Sequence, residues 1–239
     1  MEDKFHSYRT FFGFEIGYVS EFVYGGIDGA ITTFAVVAGS TGADLELAIV
    51  VILGFANLIA DGFSMSVGSY FSAKADHDYF EKHKAVEYWE IENMRHKEIE
   101  EVREIYEAKG FKGKLLQQVV DVITSDEDVW VDTMMKEELE MIKEDKTPFK
   151  QAVVTFVSFN LIGFIPLTVY VLAALSDSDR SNLFMISCLS TAAGLTIIGS
   201  LKSLVTEQNW LKGASETVLL GGLAAVIAYF VGDVLQNLL

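Results

Sequence analysis

Five stretches of the chain are apolar over lengths that suit a lipid bilayer. Gln151–Leu175 and Ser181–Leu201 contain no charged residue, and each is long enough to cross the ~30 Å of hydrocarbon that takes about 20 helical residues. Thr217–Gly232 is also uncharged and extends to Leu235 if Asp233 sits at the interface. Two earlier stretches are interrupted once each, Phe22–Gly42 by Asp28 and Leu47–Phe71 by Asp61. Lipid offers the backbone no hydrogen-bonding partner, so segments of this kind are helices. The pattern predicts an all-α membrane protein with five transmembrane helices.

Between the second and third spans the pattern changes to polar and helical. The expected division is a 1–20 N-terminal segment, 21–73 with spans one and two, a 74–150 helical insert, and 151–239 with spans three to five. Within the insert, Asp76–Ala108 has almost no helix breaker before Lys109-Gly110, which reads as a C-terminal stop. A second helix is expected over Lys114–Ile123. A third, N-capped by Ser125 or Asp126, is expected to run through Val129, Trp130, Met134 and Met141 and to end before Pro148.

Composition sharpens the division. The chain has 239 residues, 51% of them hydrophobic, yet a formal net charge of -16. The stretch Lys74–Lys150 holds 13 of the 18 basic and 21 of the 34 acidic residues, so most of the charged residues sit in the insert. This excludes a disordered chain and a basic nucleic-acid binder, and a single cysteine, Cys188, excludes a disulfide scaffold. Lys4, Arg9, the insert, Lys202 and Lys212 fall on one face of a five-span arrangement; the other has only Arg180. The bias puts the N-terminus and insert in the cytosol. Met1–Glu15 is polar and acidic, unlike a cleavable signal.

Two groups of residues are able to carry chemistry. In the insert, Glu87 and Glu90 are three apart, as are Glu98 and Glu101, so each pair shares a helix face. Met134, Met135 and Glu138 cluster within one turn. Carboxylates facing thioethers suit divalent first-row metals, oxygen favouring Mn(II) and Fe(II) and sulfur adding a softer preference. The plainer alternative is a solvated acidic face with the methionines in a small core. In the membrane, Asp28 lies in Tyr24-Gly-Gly-Ile-Asp28-Gly29, and Asp61 lies one turn before Met65. A carboxylate there costs about 2.5–3.5 kcal/mol unless it faces a cavity or partner. It is either a cation path or helix-packing glue. His77, His83 and His96 suit a solvated face better than ligation. Tyr170 and Trp210 read as interfacial anchors. No phosphate-binding loop or site for an organic cofactor stands out.

These residues resemble a known family. Tyr24-Gly-Gly-Ile-Asp28-Gly-Ala-Ile-Thr-Thr-Phe-Ala-Val-Val-Ala-Gly39 is similar to the first span of the vacuolar iron transporter family, and Asn57-Leu-Ile-Ala-Asp61-Gly-Phe-Ser-Met65-Ser-Val-Gly-Ser-Tyr70 to its second. Lys74-Ala-Asp-His-Asp-Tyr79 resembles the exit into its cytosolic domain, and Trp130-Val-Asp-Thr-Met-Met-Lys-Glu-Glu138 its Met-Met motif. The resemblance runs from about Glu21 over nearly the whole chain. It implies a homodimer in a lipid bilayer, of plasma or vacuolar type, that exports Fe(II), and often Mn(II), from the cytosol in exchange for protons. It also implies metal ligation by Glu87, Glu90, Glu98, Glu101, Met134, Met135 and Glu138, with Asp28 and Met65 in the membrane pathway. Some members carry glutamate where this chain has Asn57; Asp61, one turn later, is the candidate substitute. Two rivals are set beside this reading. A membrane-anchored ferritin-like oxidase needs Glu-x-x-His motifs, and none of the four histidines has a glutamate three residues earlier. An acidic membrane scaffold gives Asp28 no role.

Overall fold

The computed structural model describes residues 10–11, 14–176, 182–206 and 209–238. Lys4, Arg9 and Arg180, on which the orientation leans in part, lie outside the described residues. Two short strands, β1 (Thr10–Phe11) and β2 (Phe14–Glu15), pair antiparallel with Phe11 opposite Phe14. Eight α-helices follow: α1 Val19–Gly42, α2 Leu47–Asn93, α3 Arg95–Ala108, α4 Gly113–Ile123, α5 Glu127–Glu137, α6 Pro148–Leu175, α7 Leu183–Thr206 and α8 Trp210–Leu238. Five of them, α1, α2, α6, α7 and α8, are long and apolar enough to cross a membrane.

The chain forms two compact units. One is built from α1, the first part of α2 and α6–α8, with its boundaries at Phe71 and Lys146; the other is Ser72–Asp145. In the first unit glycine sets the closeness of packing. A Cβ on Gly29 would overlap the Phe159 carbonyl of α6, and one on Gly163 would lie 2.7 Å from the Gly29 carbonyl oxygen. Between α1 and α8, a Cβ on Gly42 would overlap the Tyr229 carbonyl and one on Gly232 the Gly39 carbonyl. Small residues let helix backbones touch where apolar burial in lipid gives little driving force. At the start of α6, the Thr147 N–H donates to the Tyr18 hydroxyl at 3.0 Å, and the Lys146 ammonium pairs with Glu21 at 2.8 Å. The Pro166 carbonyl within α6 accepts from Ser187 of α7 at 2.7 Å.

Three expectations are corrected here. First, α2 does not stop near Phe71 but continues to Asn93, 47 residues in all, or roughly 70 Å at 1.5 Å per residue. The helix expected over Asp76–Ala108 is instead the end of α2 and all of α3, separated at Met94, whose φ of -128° and ψ of 31° leave the helical region. Second, α5 ends at Glu137 rather than beyond Met141. The Leu139 and Met141 N–H groups turn back onto the Met134 and Met135 carbonyls, and both side chains pack on the unit's apolar cluster. Burying those two side chains outweighs continuing the helix. Third, Tyr170 is not an exposed anchor: it is 5% exposed, with its hydroxyl 3.2 Å from Thr41 Oγ1. Trp210 is exposed, as an anchor requires.

The second unit has its own core. Ile91, Val102, Leu116, Val120, Ile123, Trp130, Val131, Met134 and Met135 form one buried cluster. Asp126 caps α5 by accepting from the Asp128 and Val129 N–H groups at 3.0 and 3.2 Å, one of the two residues proposed for that role.

Candidate metal centre and membrane carboxylates

The insert's carboxylates converge because the helix breaks between them. Glu87 and Glu90 share a face at the end of α2, and the turn at Met94 brings Glu98 of α3 to the same place. One carboxylate oxygen from each of Glu87, Glu90 and Glu98 lies within 4.8 Å of the others. Glu87 is 3% exposed and Glu98 1%. Neither oxygen of Glu98, nor Oε2 of Glu87, has a hydrogen-bond partner. Buried polar groups are nearly always satisfied, and a buried unpaired charge is strongly unfavourable. The trio is therefore short of positive charge. A divalent cation with an oxygen preference supplies it.

The surrounding groups tune this shortage. Glu101 pairs with Lys97 at 2.8 Å, and the same ammonium is 3.9 Å from Glu98 Oε1. Glu138 is exposed but close enough for its charge to act on Glu87. Met134 and Met135 are buried in the apolar cluster beside Ile91 and Val102. The sequence did not single out Lys97, although its position four residues before Glu101 was a signal for the pair.

Burial, and then the charges of Glu138, Glu90 and Glu101, push the Glu87 carboxyl up to about 7. Burial, and then Glu101, Glu90 and Glu87, push Glu98 up to about 7 as well. Burial, followed by Glu101 and Glu90, also raises Glu138. The sign follows for the metal-free protein. Carboxyls that bind protons more tightly when folded contribute stability in acid, and that contribution is lost as pH rises through about 7. Metal binding runs oppositely, because the cation requires the deprotonated form. We expect the metal-free chain to melt at a lower temperature at pH 8 than at pH 6, with Mn(II) reversing the difference at pH 8. Thermal melts at both pH values with and without Mn(II) check this; a pH-independent Mn(II) effect would refute the ligand assignment.

The membrane unit holds the second group. A four-residue connection, Ala43–Glu46, joins α1 to α2. Asn57 of α2 donates to the Thr32 and Thr33 hydroxyls of α1 at 3.4 and 3.3 Å. One turn back on α1 is Asp28 and one turn on along α2 is Asp61. Met65, a further turn along, packs against the cluster of Leu58 and Phe159. The two helices thus carry a polar stripe of Asp28, Thr32, Asn57 and Asp61. Asp28 is half-buried and Asp61 exposed. The threonines were not read from sequence, since hydroxyls back-bonded within helices are common and only the facing Asn57 distinguishes these.

The family model that matches this chain is described as the VIT family, over residues 19–233. The chain belongs to the VIT family. It is 38% identical over 225 residues to a vacuolar iron transporter of Toxoplasma gondii, covering 92% of this chain and 74% of that protein. It is 34% identical to the vacuolar iron transporter of Plasmodium falciparum (90% and 81% covered) and 30% to vacuolar iron transporter 1 of Arabidopsis thaliana (97% and 91%). The VIT-family match takes in both the insert carboxylates and the polar stripe of α1 and α2.

Proposed function

We propose that this chain moves divalent first-row metal, Fe(II) and also Mn(II), out of the cytosol across a membrane in exchange for protons. The observation that carries the reading is the convergence of the Glu87, Glu90 and Glu98 carboxylates, Glu87 and Glu98 buried with three of their oxygens lacking a hydrogen-bond partner, in a chain whose relatives are named vacuolar iron transporters. Glu101, Glu138, Met134 and Met135 complete the capture site. Carboxylates gather the ion, and thioethers bias the choice towards softer divalent metals. Asp28, Asp61 and Met65 carry the partly dehydrated ion through the membrane, and protons from the acidic side displace it from the aspartates. Asn57 cannot titrate, so Asp61 takes the second proton-carrying position.

Two further parts belong to this reading. The N-terminus and insert are cytosolic, on the distribution of Lys and Arg. The working form is a homodimer. Asp61 is exposed on a lone chain, and a carboxylate within the membrane faces a cavity or partner rather than lipid; a second copy of the same stripe supplies the other wall. The test is Fe(II) and Mn(II) uptake by sealed proteoliposomes of purified protein. Uptake is expected, and an acidic interior should accelerate it. Absence of metal flux overturns the transporter reading; flux indifferent to the gradient overturns proton exchange alone.

A further inference from the structure

The break at Met94 decides whether Glu98 joins Glu87 and Glu90. Its backbone is bonded locally, the Met94 N–H donating to the Glu90 carbonyl at 2.6 Å and the Met94 carbonyl accepting from the Lys97 and Glu98 N–H groups at 2.8 and 3.3 Å. Met94 precedes the first turn of α3, and its side chain makes no capping hydrogen bond. The next residue, Arg95, reaches away from the carboxylates instead. Its Nη2 donates to the Thr124 carbonyl at 3.3 Å, just after α4, and its guanidinium lies 4.9 Å from the centre of the Trp130 ring on α5. Arg95, Glu92, Thr124, Ser125 and Trp130 line a polar cleft of about 610 Å³, which the arginine bridges. Trp130 is fully buried, and its Nε1 has no hydrogen-bond partner. Its ring face is therefore the part that Arg95 engages. The same α5 carries Met134 and Met135.

We infer that Arg95 is a positioning residue for the metal centre: by tying the α2–α3 break to the α4–α5 turn, it fixes Glu98 against Glu87 and Glu90. The inference rests on the metal-capture reading given above. Glu90 lies four residues before Met94 and Glu98 three after Arg95, so a rotation at the break moves one ligand relative to the other two. Arg95 adds no ligand and carries a like charge to the metal, so direct electrostatics predicts that removing it strengthens binding. Positioning predicts the reverse. Groups that orient metal ligands from outside the ligand shell are typically worth about 10- to 100-fold in affinity, and an exposed tether belongs at the lower end of that range.

The experiment is calorimetric titration of Mn(II) into the purified full-length chain, wild type, Arg95→Ala and Arg95→Lys. Arg95→Ala should weaken Kd about tenfold with the number of bound ions unchanged. Arg95→Lys, which keeps a cation over the indole and one donor for Thr124, should recover part of the loss. A merely destabilised protein instead loses bound ions at unchanged Kd, and that result overturns the inference. So does an unchanged or tighter Kd in Arg95→Ala. Wild-type protein that binds no Mn(II) overturns the metal-capture reading, and this inference with it.

Discussion

Asp28→Asn is expected to abolish metal uptake by reconstituted protein while leaving the chain folded. Asparagine matches aspartate in volume, so the Gly29 contact with α6 and the surrounding packing survive. What disappears is the charge and its titration. A divalent ion at that depth loses the anionic partner that offsets its desolvation, and of order 3 kcal/mol of lost stabilisation slows passage by roughly 100-fold. Raising the metal concentration should not restore the rate, because concentration changes occupancy at the entrance rather than the barrier inside. Uptake at wild-type rates in this variant would remove Asp28 from the pathway.

The opposite behaviour is expected from the insert. Replacing Glu87, Glu90, Glu98, Glu101 and Glu138 together by glutamine should depress uptake at scarce metal and let most of it recover at excess. A capture site concentrates ions that bulk solution otherwise supplies, so its loss is made good by mass action. Removal of the buried charges also relieves the mutual repulsion of the trio, so the variant should be no less stable than wild type at pH 8. Uptake measured against metal concentration gives the answer. A folded variant that stays inactive at saturating metal means that the insert's carboxylates take part in transport itself.

The spans were legible because hydrocarbon imposes a length and forbids charge, and both constraints are written residue by residue. So was the pairing of Glu87 with Glu90, which needs only helical spacing. Met94 was not legible. Nothing in Asn93-Met94-Arg95 is a breaker, and the turn there is stabilised by tertiary contacts such as Arg95 on Trp130 rather than by local preference. The same reason hid the early end of α5, where Leu139 and Met141 leave the helix to cover the core. Tyr170 was misplaced because an amphipathic ring suits an interface and a buried hydrogen bond equally well, and only its Thr41 partner decides. In the membrane the aspartates announced themselves by their rarity. Their alignment across α1 and α2 emerged only from the contact of Asn57 with Thr32 and Thr33.

The glycine contacts of α1 bear on how a path beside it opens. On one side α1 meets α6 and α8 backbone to backbone, at Gly29 and Gly163 and at Gly42 and Gly232. No side chain is interposed there to change rotamer, so sliding or tilting would drive main chain into main chain. On the other side α1 meets α2 through the Asn57 hydrogen bonds, longer and so weaker than an ordinary N–H···O bond. On the transport reading proposed above, α1 would be the stator, seated in a bearing of its neighbours, and α2 the part that swings.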